Sequence, residues 1–217
     1  MSSPALSSCP LNPQFDRLRQ ADVAQEPFPH LLVPGFLPAD TLSAVLRDFP
    51  ALDMGGLFLP ENARGALADL IEALEGQVMR DILGEKLAVD LSNTTTLVTI
   101  RDRCEARDGR IHADSSFKLA TALLYLNGPW ASPEGRLRIL RSPTDIEDYA
   151  LEIPPDGGLL ACFRVQKNSW HGHKPFVDPR RYVMLNYCDR SATRRREAAR
   201  HFLSGKLKRV RRLLART

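Results

Sequence analysis

At 217 residues the chain is long enough to bury a sizeable core yet within the range of one domain, and its 43% hydrophobic content is ordinary for a globular protein. No apolar run approaches the ~20 residues that span a bilayer, and the first ten residues lack the basic head and apolar stretch of a signal peptide, so the expectation is a cytoplasmic protein. The net charge of +4 is uneven: residues 189–217 hold 11 Lys or Arg against two acids, a balance of +9, which leaves −5 for the preceding 188 residues and confines any nucleic-acid or anionic-membrane contact to the tail.

Residues 1–27 are polar and punctuated by proline, the pattern of an irregular N-terminal arm. The domain proper is expected over 28–188, with a helical layer in 28–90 and a β core in 91–188. Leu31 to Pro38 suggests a short extended piece and a turn. Ala39 to Phe49 follows as a helix, with Leu42, Val45 and Leu46 on one side and Pro50 as its stop. Leu67, Leu70, Ile71, Leu74 and Val78 recur at helical intervals and predict one long helix from about Ala63 to Ile82, ended by Gly84.

The period then changes. Thr94 to Ile100 is β-branched and strand-like, and Leu119–Leu126, Gly135–Leu140, Gly158–Phe163 and Tyr182–Tyr187 complete a set of short strands. Thr144-Asp-Ile-Glu147 has the form of a capping box and predicts a short helical turn among them. Short strands joined by Gly/Pro-rich turns, with too little room between them for crossover helices, predict an α+β protein with a mainly antiparallel core, a sandwich or jelly roll behind an N-terminal helical layer. Ser191 can cap a helix running to Leu203. Beyond Ser204-Gly205, the segment Lys206–Ala215 sets Leu207, Val210, Leu213 and Leu214 along one side and cations on the other, a basic amphipathic tail expected to pack on the domain.

The cysteines at 9, 104, 162 and 188 match no zinc spacing, and Cys162 and Cys188 sit in apolar runs as small buried hydrophobes. The chemistry concentrates in His112-Ala-Asp114 and in His171, 59 positions beyond His112. Two imidazoles and one carboxylate are the donors that hold a non-haem ferrous ion while leaving positions open for substrate and oxygen. Alternate residues of a strand face one side, so His112 and Asp114 can converge on one ion, with His171 coming from an opposing strand. His173 competes with His171 for that place.

The segment Asp108-Gly-Arg-Ile-His-Ala-Asp114, then Lys118 to Asn127, Trp130, Glu134-Gly-Arg-Leu-Arg-Ile139, Asn168-Ser-Trp-His171 with Pro175, and Arg180 to Tyr187 resembles the 2-oxoglutarate- and Fe(II)-dependent dioxygenases of the prolyl-4-hydroxylase-like branch. The resemblance covers about residues 90–188 and implies a double-stranded β-helix (jelly roll, cupin-like). His112, Asp114 and His171 match its metal ligands, with Fe(II) as the ion and 2-oxoglutarate and O2 as cosubstrates. Pro175 and Arg181 stand at the family spacing when His171 is the ligand, which leaves His173 as a substrate contact, a neighbour of the ligands or a surface residue.

Arg181 is the candidate for the distal carboxylate of 2-oxoglutarate, because a planar guanidinium binds a carboxylate bidentately. Arg180 is adjacent and would point the other way. Tyr125 matches a position whose phenol shares that carboxylate, Leu137 matches an apolar wall, and Thr121 adds a hydroxyl on the face of Tyr125. Arg101 is a further cofactor or substrate candidate, and Trp130, Trp170 and Glu134 are candidates for the substrate entrance, with Glu134 standing where the family has glycine. Arg136 and Arg138 project from one strand face, into solvent or toward an acidic substrate. The implied activity is hydroxylation of an unactivated C–H bond of a small molecule or peptide, with 2-oxoglutarate decarboxylated to succinate and CO2. Two other readings stand beside it: a non-catalytic, cupin-like metal-binding or sensing module, and a nucleic-acid-binding protein acting through residues 190–217.

Overall fold

A computed structural model describes residues 11–50, 57, 58 and 60–191. The basic tail, and with it every expectation for residues 192–217, lies outside the described residues. In chain order the helices are α1 (Phe15–Gln20), α2 (Ala39–Arg47), α3 (Gly65–Glu75) and α4 (Gln77–Lys86). The strands are β1 (His30–Val33), β2 (Leu57–Phe58), β3 (Thr94–Arg103), β4 (Lys118–Tyr125), β5 (Leu137–Leu140), β6 (Tyr149–Ile153), β7 (Leu160–Arg164), β8 (His171–Gly172) and β9 (Pro179–Asp189).

Every strand pairing is antiparallel, in a six-stranded sheet of order β1-β7-β4-β9-β3-β2 and a three-stranded sheet of order β6-β5-β8. This is the jelly-roll architecture expected, with the helices on the outer face of the larger sheet. The two faces of that sheet are divided by parity. On β9, Val183, Leu185 and Tyr187 join the cluster with Leu67, Leu70 and Leu74 of α3, whereas Tyr182 and Met184 join the one with Leu137, Ile139 and Ile153 of the smaller sheet. On β4, Ala120, Ala122 and Leu124 face the helices while Leu123 and Tyr125 face the other way. Both faces are therefore apolar, and these strands read as unbroken hydrophobic runs rather than alternating ones.

Four local expectations need correction. The single helix over 63–82 is two, because Gly76 takes an extended conformation (φ −67°, ψ 164°) and opens α4 in a new direction. The N-terminal arm is not wholly irregular: residues 15–20 form α1, and Leu18 is fully buried against the core. Thr144–Glu147 forms bends and no helical turn, since the Asp145 carboxylate accepts the Glu147 N–H (2.8 Å) and closes the backbone locally. Arg136 and Arg138 find partners inside the chain: Arg138 is buried and pairs with Glu152 (2.7 Å) and Glu147 (3.0 Å), and Arg136 reaches Glu152 at 3.5 Å.

One hydrogen bond ties the helical layer to the sheet. The fully buried Tyr187 donates its hydroxyl to the Leu74 carbonyl at 2.6 Å, satisfying an acceptor in the last turn of α3 that has no partner within the helix. Tyr187→Phe leaves that carbonyl buried and unpaired, so unfolding in urea should show a loss of about 1–3 kcal/mol.

Candidate metal centre and cosubstrate pocket

His112 lies between β3 and β4 and is held opposite His171 by a two-residue bridge in which each backbone N–H donates to the other's carbonyl at 3.0 Å. The rings consequently stand 4.3 Å apart. Each Nδ1 faces a backbone carbonyl, Arg110 O for His112 (2.8 Å) and Ser169 O for His171 (2.9 Å). A carbonyl can only accept, so Nδ1 carries the proton and the Nε2 lone pair is left free, the tautomer a metal requires. His171 is buried against Phe163, and burial, aided by the neighbouring His112, pushes its pKa down to about 4, so the ring is neutral at physiological pH.

Asp114 completes the set: one ligand atom from each of His112, Asp114 and His171 lies within 4.8 Å of the others. Burial works against its ionisation, but the Lys118 ammonium at Oδ1 (2.5 Å) and the Thr121 hydroxyl at Oδ2 (2.7 Å) outweigh it and hold the carboxyl below its usual range. Two imidazoles, an ionised carboxylate and one exposed side of the cluster, at His112, fit a divalent transition metal with open positions.

The cluster opens into a cavity of about 250 Å³. Leu137, His173 and Arg101 line it, with Cys104, Asp108, Tyr182 and Met184 besides. Arg181 does not. Its side chain is exposed, and its backbone N–H is held by Asn127 Oδ1 (2.6 Å). Of the two adjacent arginines it is Arg180 that lines the cavity; it is buried and donates to Gly135 O (2.8 Å) and to the Tyr125 hydroxyl (3.2 Å). The expectation for Arg181 is thus corrected by one residue, a full change of strand face. Burial pushes Tyr125 up to about 12 despite Arg180, so its phenol stays protonated. Tyr125 itself is fully buried behind Arg180 and is not at the cavity wall, so its hydroxyl serves as an acceptor that fixes the guanidinium.

Thr121 is not at the cavity wall but behind Asp114, where it orients the carboxylate. His173 is buried and stands outside the three-ligand cluster. Its Nδ1 meets Lys174 O (2.7 Å), its Nε2 lies 3.9 Å from Cys104 Sγ, and burial beside Arg180 pushes it down to about 4. Trp130 and Glu134 lie elsewhere: Trp130 packs on Phe176 (5.0 Å) at a separate surface cleft and donates to Glu134 O (2.9 Å), and the Glu134 side chain points to solvent. Trp170 is half-buried and also off the cavity wall, its backbone joining the segment to Leu140.

Cys104, Lys118 and Gly109 were not singled out from sequence, although Asp108-Gly109 and Lys118 belong to the quoted motifs. Gly109 has φ +82°, and a Cβ there would sit 2.4 Å from the His173 ring. Gly109→Ala therefore meets backbone strain and a clash together. It should destabilise the fold by at least about 1–2 kcal/mol, measured in urea, and the displaced ring should show as a changed His173 resonance in NMR.

Residues 101–189 match the family model described as the 2OG-Fe(II) oxygenase superfamily, a span that contains all three ligands and the cavity wall. That segment is similar to the 2OG-Fe(II) oxygenase superfamily over the part of the chain that builds the site. No curated protein sequence matches this chain. Among solved structures it is similar to a prolyl-4-hydroxylase from Pseudomonas putida, at 20% identity and a TM-score of 0.57 over 81% of this chain and 91% of that one. It is similar also to prolyl 4-hydroxylase from Phytophthora capsici (14% identity, TM-score 0.53, 87% and 69%). A prolyl hydroxylase from Trichoplax adhaerens, solved with a peptide fragment of the hypoxia inducible factor oxygen degradation domain, is a third (18% identity, TM-score 0.50, 75% and 84%). At these identities the likeness establishes the shared fold.

Proposed function

We propose that this protein is an Fe(II)- and 2-oxoglutarate-dependent dioxygenase that hydroxylates a C–H bond of its substrate. The observation that carries the reading is the coincidence, in one cavity, of the His112/Asp114/His171 donor set with the buried Arg180 guanidinium, which Tyr125 braces from behind. When bound, the iron and its cosubstrate supply the oxidising chemistry, with 2-oxoglutarate converted to succinate and CO2. The chain's own residues hold and orient. His112 and His171 present Nε2, Asp114 presents a carboxylate fixed by Lys118 and Thr121, and Arg180, braced by the Tyr125 hydroxyl, forms a cationic end suited to a carboxylate. Leu137, Leu123 and Met184 line the same cavity with apolar surface and limit water there. No side chain is required to shuttle a proton, and the buried His173 and Tyr125 are both held in their neutral forms.

Among the described residues no helix is long and apolar enough to cross a membrane. Cys104 and Cys162 are free and buried, which agrees with placing the protein in a reducing compartment such as the cytoplasm. A small molecule or peptide is the substrate class, and a prolyl peptide enters the screen by analogy with the hydroxylases that share the fold.

Anaerobic addition of Fe(II) and 2-oxoglutarate should produce a weak visible charge-transfer band, and aerobic turnover should release succinate. Absence of both the band and any affinity for 2-oxoglutarate would falsify the assignment and favour the metal-binding module.

A further inference from the structure

The cavity wall carries one cationic group more than the proposed chemistry uses. Arg180, Arg101 and Lys118 line it together with two carboxylates, Asp108 and Asp114. Lys118 is matched by Asp114 at 2.5 Å, and Arg180 is committed to the cosubstrate end with Tyr125. A divalent metal and a dianionic cosubstrate cancel each other, so the loaded cavity keeps a net positive charge. An uncompensated charge in a partly desolvated site is costly unless a ligand meets it.

Arg101 is the cation of this set with an unmet donor. Arg101 stands on β3 directly across from Tyr182, and its side chain is 19% exposed. It touches Asp108 Oδ2 through Nη2 at 3.0 Å, but Asp108 is shared, its Oδ2 also accepting the Glu105 N–H at 2.9 Å. Arg101 Nε is buried and has no hydrogen-bond partner. A buried guanidinium N–H left unmade costs about 1–3 kcal/mol or more, and groups of this kind are ordinarily satisfied by something. Asp108, Gly109 and His173 also border a second cleft of about 250 Å³, where Ile111, Ile146 and Pro175 offer apolar surface and Arg110 adds another cation. Asp108, Gly109 and His173 thus form a wall common to both spaces, and Asp108 is the partner of Arg101.

We propose that the substrate of this oxygenase carries a small anionic group, a carboxylate or a phosphate, which Arg101 binds, with the substrate's apolar part lying in the cleft lined by Ile111, Ile146 and Pro175. The inference rests on the reading of the site as a 2-oxoglutarate oxygenase. It makes Arg101 the residue that selects among substrates, because a planar guanidinium discriminates an oxyanion from a neutral isostere.

The test uses the full chain. The charge-transfer band with Fe(II) and 2-oxoglutarate is recorded first, and its absence overturns the oxygenase reading and this one with it. The protein loaded with Mn(II) and 2-oxoglutarate is then titrated by calorimetry with acetate, methyl phosphate and neutral acetamide, at constant ionic strength in chloride. Saturable binding of acetate or methyl phosphate, weakened at least tenfold in Arg101→Met, partly retained in Arg101→Lys and unaltered in the exposed Arg103→Met, is the expected result. The preferred anion then distinguishes carboxylate from phosphate. No saturable anion binding, equal binding of acetamide, or anion binding insensitive to Arg101→Met overturns the proposal. So does an Arg101→Met variant that loses 2-oxoglutarate affinity as strongly as anion affinity, which would assign Arg101 to the cosubstrate.

Discussion

His171→Ala is expected to lower metal affinity by more than the roughly 10- to 100-fold that loss of an outer-sphere partner costs, and to abolish both the charge-transfer band and succinate release. The imidazole contributes one of three donors, and Nδ1, bonded to Ser169 O, already has the only arrangement that frees Nε2 toward His112 and Asp114. The backbone bridge to His112 survives the truncation, because both its hydrogen bonds are main-chain. Far-UV circular dichroism should therefore be retained, and a protein that is folded but metal-free distinguishes loss of a ligand from loss of the fold. His173→Ala gives the contrast. Its ring touches Lys174 O and Cys104 rather than a ligand, so the band should persist with metal affinity within about tenfold of the parent, below the outer-sphere range. Equal losses in the two variants would show that the ligand set has been misassigned.

Much of this centre is legible without a structure because it depends on short sequence intervals. Residues two apart on an extended segment share a side, so His112 and Asp114 converge whatever surrounds them. What the chain does not announce is which face of a doubly buried strand is which. On β9, Val183, Leu185 and Tyr187 pack under the helices while Tyr182 and Met184 line the cavity, and both sets are apolar or aromatic. Alternation of polarity, the usual guide to strand orientation, is erased there, and the register is set by pairing with β3 and β4 instead. The helix break at Gly76 escapes for a related reason. The apolar period runs through the glycine to Met79, and only the tertiary fit decides that the chain turns. Cys104 and Lys118 acquire their roles from neighbours far along the chain or across a turn, Cys104 beside Arg180 and His173, Lys118 against Asp114. No local pattern encodes those meetings.

The face assignment on β9 can be read directly from cosubstrate binding. Arg180→Met removes a side chain that is 3% exposed and lines the cavity, whereas Arg181→Met removes one that is in solvent. Truncating one member of a buried, hydrogen-bonded charge pair costs about 2–5 kcal/mol. At 1.4 kcal/mol per decade, that places the loss of 2-oxoglutarate affinity in Arg180→Met between roughly 30-fold and more than 1,000-fold. Arg180→Lys should recover only part of it, since a point charge cannot keep Gly135 O, the Tyr125 hydroxyl and a ligand carboxylate in one plane. Tyr125→Phe should act in the same direction but more weakly, by about 1.5–3 kcal/mol for a single hydrogen bond with a charged partner. Arg181→Met should leave the affinity unchanged, because what this position supplies is its backbone: the N–H accepted by Asn127 and the carbonyl that takes the Leu126 N–H at 3.0 Å. Direct titration of 2-oxoglutarate against the anaerobic Fe(II) protein, followed through the charge-transfer band, compares all four variants on one scale. If Arg181→Met rather than Arg180→Met loses the cosubstrate, the strand is rotated by one residue from the arrangement described. Arg101, across from Tyr182, would then have to be reassigned with it.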